Sequence, residues 1–251
     1  MTDRYSRQTK LAEIGEEGQK KLAGSRAVII GCGALGCMIS TTLARAGVGR
    51  LLIIDKDIVE IHNLQRQVAF DEDDAAAGRP KAEAAERYLR KVNSSIDIKG
   101  IVDEVNAGNI EDYVRDADII MDGLDNYETR FLVNDAALKL GIPWVYGGAV
   151  MTSGMVMTII PGETACFRCL AGSETGGARA MTADTVGIIA PSPSVVGSLQ
   201  CAEALKVLIG SPDVNRDLAI IDVWAGTIHR VKIAPSKACP ACRGTYEFLG
   251  K

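Results

Sequence analysis

Four of the seven cysteines stand in two Cys-x-x-Cys pairs, Cys166 with Cys169 and Cys239 with Cys242. Two such pairs supply the four thiolates of a tetrahedral zinc site, and because no position is left open, such a zinc is structural. A redox role is weaker, since neither pair is predicted to open a helix after a strand. The pattern therefore predicts one structural Zn²⁺ that ties the two distant segments together.

A second group of residues has the spacing of a nucleotide site. Gly31, Gly33 and Gly36 fit Gly-x-Gly-x-x-Gly, directly after a predicted strand and at the start of a predicted helix. Glycines there permit a tight turn and let backbone N–H groups approach a phosphate at the positive end of the helix. Asp55 ends the next predicted strand, where a carboxylate can accept from ribose hydroxyls. NAD, FAD, ATP and S-adenosylmethionine all fit this pattern.

Amides and charges that follow the second predicted strand favour a triphosphate over a nicotinamide. They are Asp57, Asn63, Arg66, Gln67 and Lys81. An enzyme that transfers the α-phosphoryl group of ATP needs cations near the β- and γ-phosphates, and Arg66 and Lys81 could supply them. The alternative is a solvated turn followed by a charged helix start. For Lys81 taken alone that alternative is equally good, because surface lysines are common.

Asp125 and Asn126 follow the fourth predicted strand, and ligands of open α/β sheets bind at the carboxyl ends of the strands. A carboxylate at this place could hold Mg²⁺ together with substrate phosphates. Asp125 is also a natural N-cap for the helix that follows. The pattern leaves both roles open.

The other cysteines and the two histidines indicate no further chemistry. Cys37 and Cys201 lie in predicted helices among apolar neighbours, and Cys32 lies within the glycine loop, so all three are expected to be buried. His62 and His229 have no visible triad partners. A histidine-based nucleophile mechanism is therefore not supported.

The elements that must position these residues alternate between strand and helix in the first part of the chain. Short apolar runs predict strands at 26–30, 51–55, 96–102 and 118–122, and helical spacing predicts helices at 34–46, 80–92 and 126–140. This alternation predicts a parallel sheet covered by helices on both faces. The fold class is therefore α/β with a Rossmann-like sheet.

The pattern changes after Pro143. Strand-like runs occur at 144–146, 154–160, 218–223 and 227–233, and a hairpin turn is expected at residues 225–226. Antiparallel strands that extend the first sheet are the simplest interpretation. The stretch 171–194 is rich in Gly, Ala, Ser, Thr and Pro and is expected to form a long crossover loop, and 195–209 is predicted to be a helix.

Composition limits the function classes. The chain has 251 residues, 47% of them hydrophobic and 24% charged, with a formal net charge of −4, so a nucleic-acid partner, which would need a basic face, is not expected. No apolar run approaches the length of a membrane span, and the N-terminus lacks the apolar core of a signal peptide. We therefore expect a cytoplasmic protein with no membrane contact.

These pieces in this order resemble the ThiF/MoeB/HesA family, relatives of the ubiquitin-activating enzymes. The resemblance runs from residue 4 to residue 248 and joins residues 4–8, the glycine loop, residues 55–57 and 63–67, Lys81, residues 124–126 with Arg130, and both cysteine pairs. It implies one adenylation domain over residues 1–251, with a nucleotide-binding half (1–143) and a half that carries zinc and binds a ubiquitin-like protein (144–251). It also implies that ATP and Mg²⁺ are used to adenylate the C-terminal glycine of a small ubiquitin-like protein ending in Gly-Gly, commonly by a homodimer.

The resemblance assigns roles to individual residues. It implies that Asp55 holds the ribose, that Asp57 lies near the phosphates, and that Asp125 binds magnesium. The expected triphosphate contacts are Asn63, Arg66 and Lys81, and Gln67 and Asn126 complete the expected nucleotide site. Arg7 would reach across a dimer interface towards the phosphates.

Two stretches depart from the family pattern. Many relatives carry a further cysteine in the crossover loop, where this chain has Ala183. We therefore expect adenylation without a covalent cysteine intermediate in that loop. Residues 71–74, which are all acidic, look lengthened and are expected to be solvated. No sulfurtransferase domain is visible, so sulfur would come from a separate sulfurtransferase.

Three hypotheses of function follow, in order of support. The first is an adenylyltransferase that activates a ubiquitin-like sulfur carrier for molybdopterin, thiamine or tRNA thiolation. The second is an NAD-dependent oxidoreductase, which the glycine loop and Asp55 would serve equally well. The third is a zinc-stabilised module that binds a ubiquitin-like protein without catalysis.

Overall fold

The computed structural model describes residues 3–172 and 182–250. Its strands within these ranges are β1 (Arg26–Ile30), β2 (Arg50–Ile54), β3 (Asp97–Ile101), β4 (Ile119–Asp122), β5 (Trp144–Val150), β6 (Ser153–Ile159), β7 (Leu218–Asp222) and β8 (Thr227–Val231). They form one sheet in the order β3-β2-β1-β4-β5-β6-β7-β8. β1 to β5 pair in parallel, and β6, β7 and β8 continue the sheet antiparallel. The predicted fold class is confirmed, but β5, which was expected among the antiparallel strands, pairs in parallel with β4.

The helices cover both faces of the parallel part. They are α1 (Gly15–Gly24), α2 (Ala34–Ala46), α3 (Glu72–Ala76), α4 (Lys81–Val92), α5 (Ile110–Val114), α6 (Tyr127–Leu140), α7 (Phe167–Ala171), α8 (Ala183–Val186) and α9 (Pro191–Ile209), with short 3-10 turns at Asp3–Tyr5, Ile61–Asn63 and Ala241–Arg243. α2 and α9 pack together on one face of the sheet. α5, α6 and α7 pack on the other. None of these helices is long and apolar enough to cross a membrane.

Two apolar cores result from this layering, one on each face of the sheet. The four apolar residues of β1 that follow Arg26 are all buried, which is why the strand reads as a continuous apolar run rather than an alternation. On the face of α6, the rings of Phe131, Trp144, Phe167 and Phe248 pack together, with centroids 5.0–5.6 Å apart in contacting pairs. This aromatic cluster binds the C-terminal segment to the sheet.

The antiparallel extension changes in exposure from one edge to the other. β5 and β6 are paired along seven residues, and β7 and β8 form the predicted hairpin around Gly226. Ala219 and Ile221 of β7 face α9, whereas Ile220 points to the opposite face and is exposed together with Met155 of β6. On the same face, Met157 and Leu218 are buried in the core that includes residues of α6 and α7, so the open face is the end of this surface that carries Met155 and Ile220. It lies next to the cavity described below.

Several sequence-based predictions were wrong in detail. α1, α3 and α5 were not predicted, because each is short or carries too few apolar residues to show a helical period. The region expected to be one loop contains the end of α7, all of α8 and the start of α9, and its residues 173–181 lie outside those that the structure describes. α9 begins at Pro191, not at residue 195, since proline is tolerated in the first turn of a helix. Likewise α4 begins after Pro80, which is its N-cap.

The acidic stretch before α4 includes α3, and Asp71, Glu72 and Asp73 are exposed as expected, whereas Asp74 is buried. Asp71 caps α3 by accepting from the backbone N–H of Asp74 at 2.9 Å. The side chain of Asp74 is only 2% exposed. It is held by Arg79 and Arg87, which lie beyond the helix in sequence, so the sequence alone did not reveal its burial.

Candidate active site

A cavity of about 450 Å³ opens at the carboxyl ends of the parallel strands. Its walls include all but one of the residues predicted to contact a nucleotide or magnesium within the chain, namely Gly31, Gly33, Asp55, Asp57, Asn63, Arg66, Gln67, Lys81, Asp125 and Asn126. The exception is Gly36, which packs against Gly31 of the loop and does not line the cavity. The cavity continues to Ser153 and Met155 of β6 and to Ile220 of β7. It therefore joins the glycine loop to the open face of the antiparallel strands.

The glycines of the loop serve different purposes. Gly31 has φ +89°, a conformation that favours glycine, and a Cβ on Gly36 would lie 2.0 Å from the carbonyl oxygen of Gly31. Gly36 therefore permits the close contact of α2 with the loop. A Cβ on Gly33 would meet only the amide nitrogen of Gln67, at 3.9 Å. The space beside Gly33 is thus open to a ligand.

We predict that alanine at these two glycines has opposite consequences. Gly36→Ala should unfold or strongly destabilise the protein, because its methyl group would overlap a backbone carbonyl. Gly33→Ala should keep a near wild-type melting temperature but weaken ATP binding by about ten- to a hundredfold, the loss of one charge-assisted hydrogen bond of about 1.5–3 kcal/mol. Thermal melts and calorimetric titration with ATP would test both. Equal melting temperatures for the two variants would contradict this assignment.

Asp55 holds the loop in shape. Its carboxylate accepts from the backbone N–H of Cys32 at 2.6 Å and from that of Asp57 at 2.8 Å. Burial raises the pKa of Asp55, and these two N–H groups oppose the shift. The expected contact of Asp55 with a ribose stays a proposal, and Asp55 already acts as the brace between β2 and the glycine loop.

Lys81 projects from the first turn of α4 into the cavity and pairs with Asp57, its Nζ 2.9 Å from Oδ2. The lysine side chain is 9% exposed, so the alternative of a common surface lysine is wrong. Burial works against its charge, but the hydrogen bond to Asp57 and the charges of Asp57 and Asp55 together raise the pKa of Lys81. A buried, charged ammonium therefore faces the cavity.

The 3-10 turn Ile61–Asn63 positions three further predicted residues. Asn63 is buried and closes a capping box with Glu60, accepting from its backbone N–H at 3.1 Å. Arg66 donates to the carbonyl of His62 at 3.0 Å and lines the cavity. Gln67 is buried, and its side-chain oxygen has no hydrogen-bond partner among the described residues. The Gln67 atom that faces Gly33 is its amide nitrogen, so this side chain offers the cavity a hydrogen-bond donor.

The sequence left two roles open for Asp125, namely N-cap of α6 and magnesium ligand. Asn126 is the N-cap of α6, and its side chain accepts from the backbone N–H of Thr129 at 2.9 Å. The N-cap reading of Asp125 is therefore wrong. Asp125 is exposed and lies on the cavity wall, where a carboxylate could ligate a divalent cation.

Arg130 is a residue whose importance sequence reasoning did not explain. Its guanidinium donates to the carboxylate of Asp122 at 2.9 Å and to the carbonyls of Leu124 and Gly147 at 2.5 and 2.9 Å. Burial raises the pKa of Asp122, and the charge of Arg130 opposes that shift. This buried pair joins α6 to the end of β4 and to the middle of β5 at the floor of the cavity.

Other predicted or missed residues surround the cavity. Asp103 and Glu104 line it just after β3, and the rule that ligands bind at strand ends would have found them. Ala183, at the expected cysteine position, opens α8 and also lines it. Arg7 is exposed near the N-terminus and is not among the described residues that line this cavity.

The four cysteines meet at one point. The Sγ atoms of Cys166 and Cys239 and those of Cys169 and Cys242 lie 3.6 Å apart, and those of Cys166 and Cys169 lie 3.8 Å apart. All four sulfur atoms fall within 4.8 Å of one another. Zinc with Zn–S bonds of about 2.3 Å would set sulfur separations of about 3.8 Å in a tetrahedron. The donor set and its geometry fit Zn²⁺.

One argument used against a redox role needs correction. Cys166 is the N-cap of α7, which follows β6, so this pair does open a helix. The argument for a metal rests instead on the clustering of the sulfur atoms of both cysteine pairs. Of the other cysteines, Cys32, Cys37 and Cys201 are buried as predicted, and burial raises the pKa of Cys201 to about 12, which disfavours a thiolate nucleophile.

We predict that the purified protein carries one zinc per chain and that Cys239→Ser removes it. A decrease of about 3 kcal/mol in the free energy of unfolding would lower the melting temperature by about 6–12 °C. Metal content by mass spectrometry and a thermal melt would test this. Cys201→Ala is the matched control, since Cys201 is equally buried but remote from the cluster, and it should retain the metal. Retention of zinc by Cys239→Ser would contradict the assignment.

A parallel sheet with a glycine loop and a cation-lined cavity at its carboxyl edge defines a nucleotide-binding protein of the Rossmann-like class. Comparison with known proteins narrows this class. The model of the ThiF family matches residues 5–241. The chain is 49% identical over 251 residues to the sulfur carrier protein ThiS adenylyltransferase of Bacillus subtilis, covering 99% of this chain and 73% of that protein.

Two further relatives extend the comparison. The chain is 35% identical to the SAMP-activating enzyme E1 of Haloferax volcanii, covering 96% of this chain and 88% of that enzyme. Its fold matches the crystal structure of E. coli MccB with ATP at a TM-score of 0.81 and 27% identity, covering 96% of this chain and 74% of the other. The chain belongs to the ThiF family, and it is an adenylyltransferase. The oxidoreductase and non-catalytic hypotheses are therefore set aside.

Proposed function

We propose that this enzyme uses ATP and Mg²⁺ to adenylate the C-terminal glycine of a small ubiquitin-like sulfur carrier and releases pyrophosphate. The observation that carries the proposal is the continuity of the cavity. It runs from the glycine loop, past Gly148 and Gly154, to Met155 and Ile220 on the open sheet face. A carrier docked on that face could extend its slim Gly-Gly end along the cavity to the bound nucleotide.

The side chains divide the work between binding and charge stabilisation. Backbone N–H groups near Gly33 would receive the phosphates, and Asp55 would accept from the ribose. Arg66 and Lys81 would neutralise the charge that develops on the leaving pyrophosphate, with Asn63, Gln67 and Asn126 completing the polar wall. Asp125 would hold Mg²⁺, which supplies further charge neutralisation when bound.

The reaction needs no general base from the protein. The carboxylate of the carrier's terminal glycine is already ionised at pH 7 and attacks the α-phosphorus of ATP directly. The bond from the α-phosphorus to the bridging oxygen breaks, and pyrophosphate leaves in line. Positioning and electrostatics then account for catalysis. Because position 183 is alanine and Cys201 is buried, no cysteine intermediate in the crossover loop is included.

The same proposal covers the organisation of the protein. Residues 1–143 would form the nucleotide-binding half and residues 144–251 the half that carries zinc and docks the carrier. In a homodimer, the exposed Arg7 of one protomer would lie near the phosphates bound by the other. Sulfur would be delivered afterwards by a separate sulfurtransferase.

ATP–pyrophosphate exchange tests the function. Purified enzyme, Mg²⁺, ATP and labelled pyrophosphate would be combined with candidate carriers ending in Gly-Gly, the ThiS type first because of the 49% identical relative. We expect exchange that depends on one carrier and disappears when its terminal glycine is deleted. ATP binding without exchange for any carrier would refute the proposal.

A further inference from the structure

We infer that Asp74 is a positioning residue for catalysis, because it clamps the segment that presents Lys81 to the cavity. This inference rests on the proposed function of Lys81 as a phosphate-binding cation. Asp74 does not line the cavity among the described residues, so its contribution would be indirect. The argument begins with its burial.

Asp74 forms the centre of a charge cluster between α3 and α4. One oxygen, Oδ1, accepts from Nε of Arg79 at 2.8 Å and from Nη2 of Arg87 at 2.5 Å. The carboxylate side chain is 2% exposed, whereas the arginine side chains are 36% and 41% exposed. One buried anion thus holds two cations that would otherwise repel each other and move into solvent.

The clamp acts on the short segment that leads into α4. The chain turns at Gly78, whose φ of +55° is favourable for glycine, and Arg79 follows. The carbonyl of Arg79 accepts from the N–H of Val59 at 2.8 Å, and the N–H of Lys81 donates to the carbonyl of Asp57 at 2.8 Å. Residues 79–81 therefore run antiparallel to residues 57–59, which follow β2.

Lys81 is the end point of this arrangement. It stands two residues after Arg79 at the first position of α4, and its ammonium reaches Asp57 and the cavity. Arg87 lies on the same helix and ties α4 itself to Asp74. Asp74 therefore fixes both the entry to the helix and the helix body from which Lys81 projects. Without the contacts of Asp74, the ammonium of Lys81 should no longer be held at a fixed position relative to the phosphates of bound ATP.

Asp74→Asn is the sharpest variant, because it keeps the shape and removes the charge. We expect kcat for carrier-dependent exchange to fall by about 10- to 100-fold, with a smaller change in KM for ATP, as follows from misplacing a charge-stabilising group. Arg79→Gln should also lower kcat. This variant is less prone to misfold, because the side chain of Arg79 is partly solvated. The double variant should be no worse than Asp74→Asn alone, because both remove the same clamp.

A second readout follows Lys81 without turnover. The rate at which an amine-acylating reagent modifies Lys81 would be mapped by peptide mass spectrometry, with and without ATP. We expect Asp74→Asn to speed this modification several-fold and to weaken protection by ATP. Asp135→Asn is the matched control, because Asp135 is a buried carboxylate that accepts from the backbone of Phe248, away from the cavity, and it should change neither quantity.

The two readouts separate the possible failures. If Asp74→Asn and Arg79→Gln lower only the melting temperature and leave kcat, KM and Lys81 labelling as in the wild type, Asp74 is merely structural and the inference is overturned. If the wild type shows no exchange with any carrier, the proposed function fails. Lys81 labelling then still decides whether Asp74 positions this lysine.

Discussion

Replacement of Lys81 by methionine is expected to lower ATP–pyrophosphate exchange by about 10²–10³-fold, the usual loss when one preorganised charge-stabilising donor is removed. The ammonium of Lys81 is buried at the cavity wall and cannot be replaced by water without a loss of field strength. Exchange kinetics with saturating carrier would measure the effect.

Folding should be little affected by this substitution, so activity and stability can be separated. The partner, Asp57, is 55% exposed and stays solvated when the lysine is lost. Lys56→Met is the control, because Lys56 also borders the cavity but is 56% exposed and pairs with Glu104. It should change exchange by no more than about twofold, as befits a surface ion pair. Equal losses in both variants would indicate that only the general positive potential matters.

Replacement of Arg130 by methionine is expected to destabilise the protein by about 3–5 kcal/mol, because it leaves the buried carboxylate of Asp122 without its cation. For a chain of this size, the melting temperature should fall by about 6–20 °C. Both side chains are almost wholly buried, at 7% and 0% exposure, so water cannot compensate. Urea denaturation would measure the free energy of unfolding.

The same substitution on the surface provides the comparison. Arg216 pairs with Glu163, and both side chains are more than half exposed, so Arg216→Met should cost less than about 1 kcal/mol. Addition of Asp122→Asn to Arg130→Met should recover part of the loss, because the unpaired charge is then absent. A loss below about 1 kcal/mol for Arg130→Met would mean that the backbone N–H groups of Leu124 and Gly147 suffice to hold Asp122.

Loss of Lys81 is expected to affect activity and loss of Arg130 to affect stability, because the carboxylate left without its cation lies at the surface in one case and in the core in the other. Removal of Lys81 leaves an anion in contact with water, whereas removal of Arg130 leaves an anion in the core. Lys81 therefore belongs with binding and catalysis, and Arg130 with the framework that shapes the cavity floor. Residue type and position in the sequence alone do not make this distinction, since both are cations in the first turn of a helix.

The amino-acid sequence by itself determined the alternation of strands and helices, the glycine loop and the two cysteine pairs. These features are local, since a run of apolar residues or a Gly-x-Gly-x-x-Gly pattern depends on near neighbours in the chain. The parallel pairing of β1 to β4 followed from that alternation because crossover helices leave few topologies, whereas β5 was expected among the antiparallel strands and instead pairs in parallel with β4. The antiparallel extension likewise followed from the hairpin turn at Gly226.

Only the tertiary structure decided which charged residues do what. Asp74 is paired with Arg79, from the segment before α4, and with Arg87, from α4 itself, and the side chain of Asn126 rather than that of Asp125 accepts from the N–H of Thr129 at the start of α6. The helices α1, α3 and α5 form where α9, the 3-10 turn Ile61–Asn63 and α6, respectively, offer surfaces to pack on, not where the sequence has a strong period. Burial and long-range pairing arise only when distant segments meet, and for that reason no local pattern encodes them.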